Sequence, residues 1–351
     1  MTTPLLSVTI TNYNYVDFVG RAIESVLAQS FGDFELLIGD NASTDGSVDV
    51  IRNYALQDSR IRFVARPKNL GMAKNLSLTT ADARGKFCVH LDADDWVIDP
   101  DAFKLQIDVL QQHARASAVY SPIVLCDERD TRVIIGPHDE DRVDPGEIAV
   151  REAMKVYIVN SGPMFRMSAY RNFGGYNQDY YHALDVKLAI DLCGQGDIAY
   201  INRPLYGFFQ HESSVSHGSH FEPKQRDLVR AVESVFTGPL APRLANPSAM
   251  RREALATVLT MHATLCVFND SYRAGWRALY SGLRIMPLIV LRNKRIVALM
   301  ARTALGAERY AMIQQLASPF RRKVHPYVRV VPRGESETPP ASRRSSLRPP
   351  A

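Results

Sequence analysis

Over its first hundred residues the chain alternates short strand-like runs with helical segments, and two of those strands run straight into carboxylates. Leu5-Leu-Ser-Val-Thr-Ile10 is apolar and β-branched and ends at a turn, Asn12-Tyr-Asn14. Ala22, Ile23, Val26 and Leu27 then recur at helical spacing. Phe34-Glu-Leu-Leu-Ile38 predicts a second strand reaching Asp40, and Asn41-Ala-Ser-Thr-Asp45-Gly46 a loop able to cap the helix carrying Val48, Ile51 and Tyr54. Ile61-Arg-Phe-Val64 and Phe87-Cys-Val-His-Leu91 are further strands, the last leading into Asp92. Strands separated by helices imply parallel pairing, which predicts an α/β sheet with ligands gathering beyond its carboxyl edge.

The rest of the chain divides by composition. Residues 101–217 mix a helix (Phe103 to Leu110), strands (Ala118 to Leu125, Val133 to Ile135) and Gly-rich loops, whereas 218–320 read as helical. Residues 321–351 are predicted to be a basic, disordered tail rich in Pro, Ser and Arg. Between Phe320 and Ala351 eight Arg or Lys stand against two Glu, while the whole chain carries only +5, so its basicity belongs to the tail. A nucleic-acid enzyme would carry that charge on its folded part, and no nucleic-acid partner is expected.

Four cysteines, Cys88, Cys126, Cys193 and Cys266, are scattered without a CxxC pair and predict buried thiols. The N-terminus lacks a basic segment followed by a long apolar one, which makes the cytoplasm the expected location. The best apolar run, Met286 to Met300, is broken by Arg292, Asn293, Lys294 and Arg295 and is not expected to span a membrane.

Asp92-Ala-Asp94-Asp95-Trp96 is the segment most telling of chemistry. Three carboxylates within four residues repel one another unless a cation or hydrogen-bond donors offset them. Mg²⁺ or Mn²⁺ would do so, bound through one or two carboxylates, water and substrate phosphates. The plainer alternative is a solvated acidic turn. Asp40 adds a carboxylate on the same sheet edge, and Asn69-Leu-Gly71-Met-Ala-Lys74-Asn75 supplies a tight turn, a helix start and a lysine available to phosphate.

Ser7-Val-Thr-Ile-Thr11-Asn-Tyr-Asn14, Ala22-Ile-Glu-Ser-Val-Leu-Ala-Gln-Ser-Phe31, Asp40-Asn-Ala-Ser-Thr-Asp45-Gly-Ser47 and Asp92-Ala-Asp-Asp95 together resemble the family 2 glycosyltransferases of the GT-A fold, in order and spacing, over roughly residues 5 to 217. The resemblance implies that Thr11 and Asp40 contact the nucleobase, with Asp40 accepting from a base N–H as uracil or thymine offers. It implies that Lys74 lies near the nucleotide, that Asp94 is the main ligand of a Mg²⁺ or Mn²⁺ bridging the diphosphate, and that Asp92 and Asp95 contact the donor or order the loop.

Downstream, Leu184, Leu188 and Leu192 share one helical face and aim Asp185 elsewhere. Similar proteins carry Glu-Asp here, with the Asp as general base; Asp185 matches and Leu184 replaces the Glu. Asp185 could also serve as a helix N-cap, and a shifted helix would hand the role of base to Asp179 or Asp191. Gly207-Phe-Phe-Gln-His211 resembles the family's closing segment, in which His211 would contact the metal or diphosphate. Phe209 stands where the family often has Arg. Asn160-Ser-Gly-Pro-Met164 would begin the acceptor side.

The function so implied is inverting transfer of a sugar from a UDP- or dTDP-linked donor to a saccharide or lipid-linked acceptor, in envelope polysaccharide or glycolipid synthesis. The alternatives are a nucleotidyltransferase, which would bring a Gly-rich basic loop near the N-terminus, and a catalytically silent nucleotide-sugar-binding protein. Residues 273–302 hold seven Arg or Lys and no Asp or Glu. With the basic tail they could rest on an anionic membrane surface at its inner face, or pack on the catalytic domain with solvated arginines.

Overall fold

The computed structural model describes residues 3–127, 132–154, 162–211, 221–268, 272–287 and 328–330. The first half builds as its pattern predicts: β1 (Leu6–Asn12), α1 (Val16–Leu27), β2 (Phe34–Asp40), α2 (Ser47–Gln57), β3 (Ile61–Ala65), α3 (Met72–Ala81) and β4 (Phe87–Asp92). There follow β5 (Trp96–Val97), α4 (Ala102–Gln112), β6 (Ala116–Tyr120), β7 (Ile123–Asp127), β8 (Arg132–Ile135), β9 (Arg142–Asp144) and α5 (Gly146–Met154). Then come β10 (Met164–Arg166), α6 (Met167–Asn172), α7 (Leu184–Gln195), β11 (Asp197–Tyr200), β12 (Tyr206–Gln210), α8 (Phe221–Val235), α9 (Pro247–Phe268), α10 (Tyr272–Ile285) and β13 (Val328–Val330).

A mixed eight-stranded sheet runs β3-β2-β1-β4-β10-β6-β11-β9. Its first four strands are parallel, and β10 enters antiparallel between β4 and β6. The sheet therefore crosses the division expected near residue 100 without a break. Helices cover both faces. Leu6, Val8 and Ile10 of β1 pack with Val19, Ile23 and Val26 of α1 and Ile51 of α2. The other face lies beneath α5, α7, α8 and part of α9, through residues such as Val150, Leu188, Leu228 and Leu255.

Between its apolar residues β1 carries Ser7 and Thr9, both fully buried. Strand geometry sends them to the opposite face, where each needs a hydrogen-bond partner. Ser7 donates to Glu35 at 2.7 Å, and Thr9 lies 3.1 Å from Nδ1 of His90.

The single strand expected from Ala118 to Leu125 is two. Ser121-Pro122 interrupts it, proline having no N–H for the ladder. β6 stays in the main sheet and β7 enters a second sheet, β13-β8-β7-β12-β5. β13 pairs with β8 and falls inside the segment expected to be disordered, so residues 328–330 are a correction to that expectation. The rest of the tail lies outside the described residues, as do residues 160–161 of the expected acceptor segment and residues 288–302 of the basic stretch. Among the described residues no helix is long and apolar enough to cross a membrane. The four cysteines are free and buried, as predicted.

Candidate active site

Strand register sets the site. On β1, Thr11 pairs with Gly39 on one side and Asp92 on the other, and Asn12 pairs with Asp40. The carboxyl ends of three adjacent parallel strands thus place Thr11, Asp40 and Asp92 along one edge.

The loops leaving β1 and β2 clasp each other there. Asp40 is fully buried; Oδ1 accepts from the Ser43 N–H at 2.9 Å, and Oδ2 from the Ser43 hydroxyl at 2.5 Å and the Asn12 amide at 2.8 Å. The Asn14 N–H donates to the Ser43 hydroxyl, and the Asn14 side chain accepts from the Thr44 N–H. Asp45 accepts from the Val16 N–H and from the N–H and hydroxyl of Ser47, tying together the starts of α1 and α2. Asn14 and Ala42 take positive φ, 57° and 65°, unusual for side chains other than glycine. The Asp40 carboxylate, expected to meet the nucleobase directly, is in this structure the acceptor that organises the edge. Beside it, Arg66 donates to the Asn75 side chain at 3.3 Å and keeps a buried Nη2 unpartnered among the described residues, as is Oδ1 of Asn12. Lys74 lies exposed on the first turn of α3.

The acidic turn is held from three directions. Asp92 lies 3.0 Å from Nε2 of His90, whose Nδ1 faces Thr9. An ionised carboxylate only accepts, so Nε2–H donates to Asp92, and in the neutral imidazole Nδ1 then accepts from the Thr9 hydroxyl. Asp95 is fully buried, and its Oδ1 accepts from the Phe209 N–H at 3.1 Å. Of the two roles expected for Asp95, this geometry is that of ordering the loop. Asp94 faces His211, Oδ2 to Nε2 at 3.1 Å. Burial, together with the charge of Asp92, pushes the Asp94 carboxyl up, against the stabilising bond from His211.

His211 is buried in aromatic surroundings. Phe18 stacks on it at 4.7 Å, Phe209 at 5.5 Å, and Tyr15 meets it edge-on at 5.7 Å. Burial and then the charges of Asp94, Asp92 and Asp95 push the Tyr15 phenol up, which places Tyr15 among these carboxylates. Solvent-exposed Arg21 of α1 donates to the Asp94 carbonyl at 2.7 Å, its guanidinium 4.1 Å from the Trp96 ring and 5.2 Å from Phe209. A cation therefore packs against the position where the resemblance leads one to look for Arg.

Among the described residues no three His, Cys, Asp or Glu side chains converge to hold a metal ion by themselves. The Asp94–His211 pair nevertheless suits Mg²⁺ or Mn²⁺, which take a few protein ligands and complete their shell with phosphate and water.

α7 begins at Leu184 with its apolar face buried, as the spacing of Leu184, Leu188 and Leu192 predicts. Asp185 sits in the first turn, and the cap position belongs to Ala183. Its Oδ1 accepts from the Val186 N–H at 2.8 Å. Burial raises the Asp185 carboxyl; Lys224 of α8 acts against this, and Asp92 adds to it. The charge of Asp92 is thus felt at Asp185, and both are felt at the buried Tyr176. Asp191 is engaged by Lys187 at 2.5 Å, and Asp179 lies in the short turn before α7.

Thr9, His90, Tyr15, Arg21 and Arg66 escape a reading by motif. Their one signal in the sequence is polarity within or beside otherwise apolar runs.

Residues 7–172 match the family model described as Glycosyl transferase family 2. Chondroitin synthase of Escherichia coli is 27% identical over 227 residues, covering 64% of this chain and 31% of the synthase. The putative glycosyltransferase EpsH of Bacillus subtilis (strain 168) is 22% identical over 309 residues, covering 82% of this chain and 84% of EpsH. The chain spans about a third of the synthase's length. In structure it is similar to S. aureus TarS 1-349 in complex with UDP-GlcNAc, with a TM-score of 0.62 at 16% identity, covering 94% of this chain and 98% of that one. Mannosyltransferase PcManGT from Pyrobaculum calidifontis, in complex with GDP-Man and Mn²⁺, gives 0.54 at 16% identity, covering 92% and 89%. These structural likenesses establish the GT-A fold. Asp185 and His211 lie beyond the matched segment.

Proposed function

We propose, from the match of residues 7–172 to the model of glycosyltransferase family 2, that this chain is a member of that family and a metal-dependent, inverting transferase. It moves a sugar from a UDP- or dTDP-linked donor to an acceptor hydroxyl. The observation that carries this reading is the division between two acidic stations. Asp94 faces His211 at the sheet edge, while Asp185 stands on a separate helix close enough to feel Asp92.

Asp94 and His211 would hold the cation, which when bound offsets negative charge on the departing diphosphate. Asp92, steadied by His90, borders the donor, and Asp95 keeps the turn closed on β12. Base recognition falls to the Thr11–Asp40 edge, where Asp40 would accept the base N–H in exchange for one bond from Ser43. Lys74, exposed at the start of α3, approaches the nucleotide. Asp185 takes the proton from the acceptor hydroxyl as its oxygen attacks the anomeric carbon, and a single displacement inverts that carbon. Burial raises its carboxyl, and a raised carboxylate takes up a proton more readily than an ordinary aspartate.

The polysaccharide synthases among the relatives support a saccharide or lipid-linked acceptor in cell-envelope synthesis. α10 presents exposed Arg277, Tyr280 and Arg284, which favours contact with an anionic membrane surface. Incubation of the purified protein with UDP-, dTDP- and GDP-sugars and Mn²⁺ tests the function. Release of nucleoside diphosphate is expected; pyrophosphate would identify a nucleotidyltransferase, and binding without turnover a silent binding protein.

A further inference from the structure

Arg21 belongs to none of the roles above, and its contacts are specific. It lies on α1, far in sequence from the turn it touches. Its guanidinium donates to the backbone carbonyl of Asp94 while packing 4.1 Å from the ring of Trp96 and 5.2 Å from that of Phe209. Trp96 follows the acidic turn, and Phe209 lies two residues before His211. β5 and β12 are themselves paired, Trp96 lying opposite Gly207. The Phe209 N–H also fixes Asp95.

We propose that Arg21 is a positioning residue for the cation site. It fixes the Asp94 peptide and clamps the rings on either side, so that the Asp94 carboxylate and His211 imidazole stay opposed. The chemistry calls for arginine, whose planar, delocalised cation stacks on aromatic faces while its edge donates a directed hydrogen bond. Lysine offers a compact point charge with no planar face, so it keeps the charge but not the stacking. The inference rests on the reading that Asp94 and His211 hold the donor's cation.

The test uses the full chain with Trp276→Phe, which leaves Trp96 as the only tryptophan. Calorimetry with UDP, and in parallel GDP, with and without Mn²⁺, is run on the parent, Arg21→Met, Arg21→Lys and Asp94→Ala. Partners that orient a metal ligand typically change metal affinity by roughly 10–100-fold, and a loss of that order is expected for Arg21→Met. Metal-free nucleotide affinity should hold, Trp96 emission should shift, and Arg21→Lys should fail to restore the parent's behaviour. Parent-like Mn²⁺ dependence in Arg21→Met, or full rescue by Arg21→Lys, would overturn the proposal. If Arg21→Met does not fold, Arg21→Lys alone decides. Loss in Asp94→Ala without loss in the Arg21 variants rejects only the role of Arg21, whereas unchanged Mn²⁺ dependence in Asp94→Ala rejects the cation site itself.

Discussion

Nε2 of His211 lies 3.1 Å from Oδ2 of Asp94, across 117 positions of sequence. Among the described residues no group of three His, Cys, Asp or Glu side chains forms there, so a cation held by this pair would draw substrate phosphate into its shell. Nucleotide and cation should therefore bind together. The midpoint of thermal unfolding should rise with UDP and Mn²⁺ added jointly, and much less with either alone. EDTA should abolish sugar transfer and excess Mn²⁺ restore it; full activity after exhaustive chelation would rule out the metal.

Asp185→Asn keeps size and hydrogen bonding but cannot accept a proton at neutral pH. Loss of a general base typically lowers the rate by roughly 10²–10⁴-fold. Nucleotide affinity by calorimetry should change little, since the donor contacts lie elsewhere. Near-normal transfer would reject Asp185 as the base, and lost nucleotide binding would make it a donor-site residue.

The same carboxyl predicts a pH profile. Burial raises it, with Asp92 contributing, and only its ionised form can take a proton. Activity should fall on acidification through a pKa above the ordinary aspartate range. The acid limb of kcat/KM should lie above that range in the parent and disappear from the residual activity of Asp185→Asn.

Away from the site, Glu35 is buried beneath Ser7, Arg62 and Arg84. Burial pushes its carboxyl up, and hydrogen bonds from Ser7, the Arg84 backbone and both arginines outweigh that and hold it below the usual range. A depressed carboxyl stabilises the fold above its unfolded pKa, and this stabilisation is lost as pH falls through the lower folded value. Glu35→Gln should cost about 1–3 kcal/mol at pH 7. The gap to the parent in urea melts should narrow below about pH 4, and a gap independent of pH would contradict the ionised pairing.

Gly207 has no room for a side chain: a Cβ there would lie 2.3 Å from the Trp96 ring. Overpacking of this kind typically costs about 1–3 kcal/mol. Because β12 leads into His211, Gly207→Ala should weaken Mn²⁺-dependent nucleotide binding as well as lower the unfolding midpoint. Calorimetry beside a thermal melt checks both.

Local pattern alone determined the parallel strands β1 to β4 and the carboxylates at the ends of β2 and β4. Alternation and helical spacing are properties of neighbouring residues, and strands that alternate singly with helices, as β1 to β4 do, pair in parallel. The start of α7 was legible for the same reason, because Leu184, Leu188 and Leu192 mark its buried face. Tertiary structure decided which polar groups meet. Register sets Thr9 opposite His90, so a buried hydroxyl orients the imidazole that holds Asp92. Folding of the 40–45 loop closes over Asp40, and packing of α1 carries Arg21 to Asp94. It likewise brings Asp185 within reach of Asp92's charge. Apart from the loop's own closure, each of these meetings joins segments tens of residues apart. Their pairing follows from how sheet and helices bury the whole apolar surface at once, and no local pattern records it.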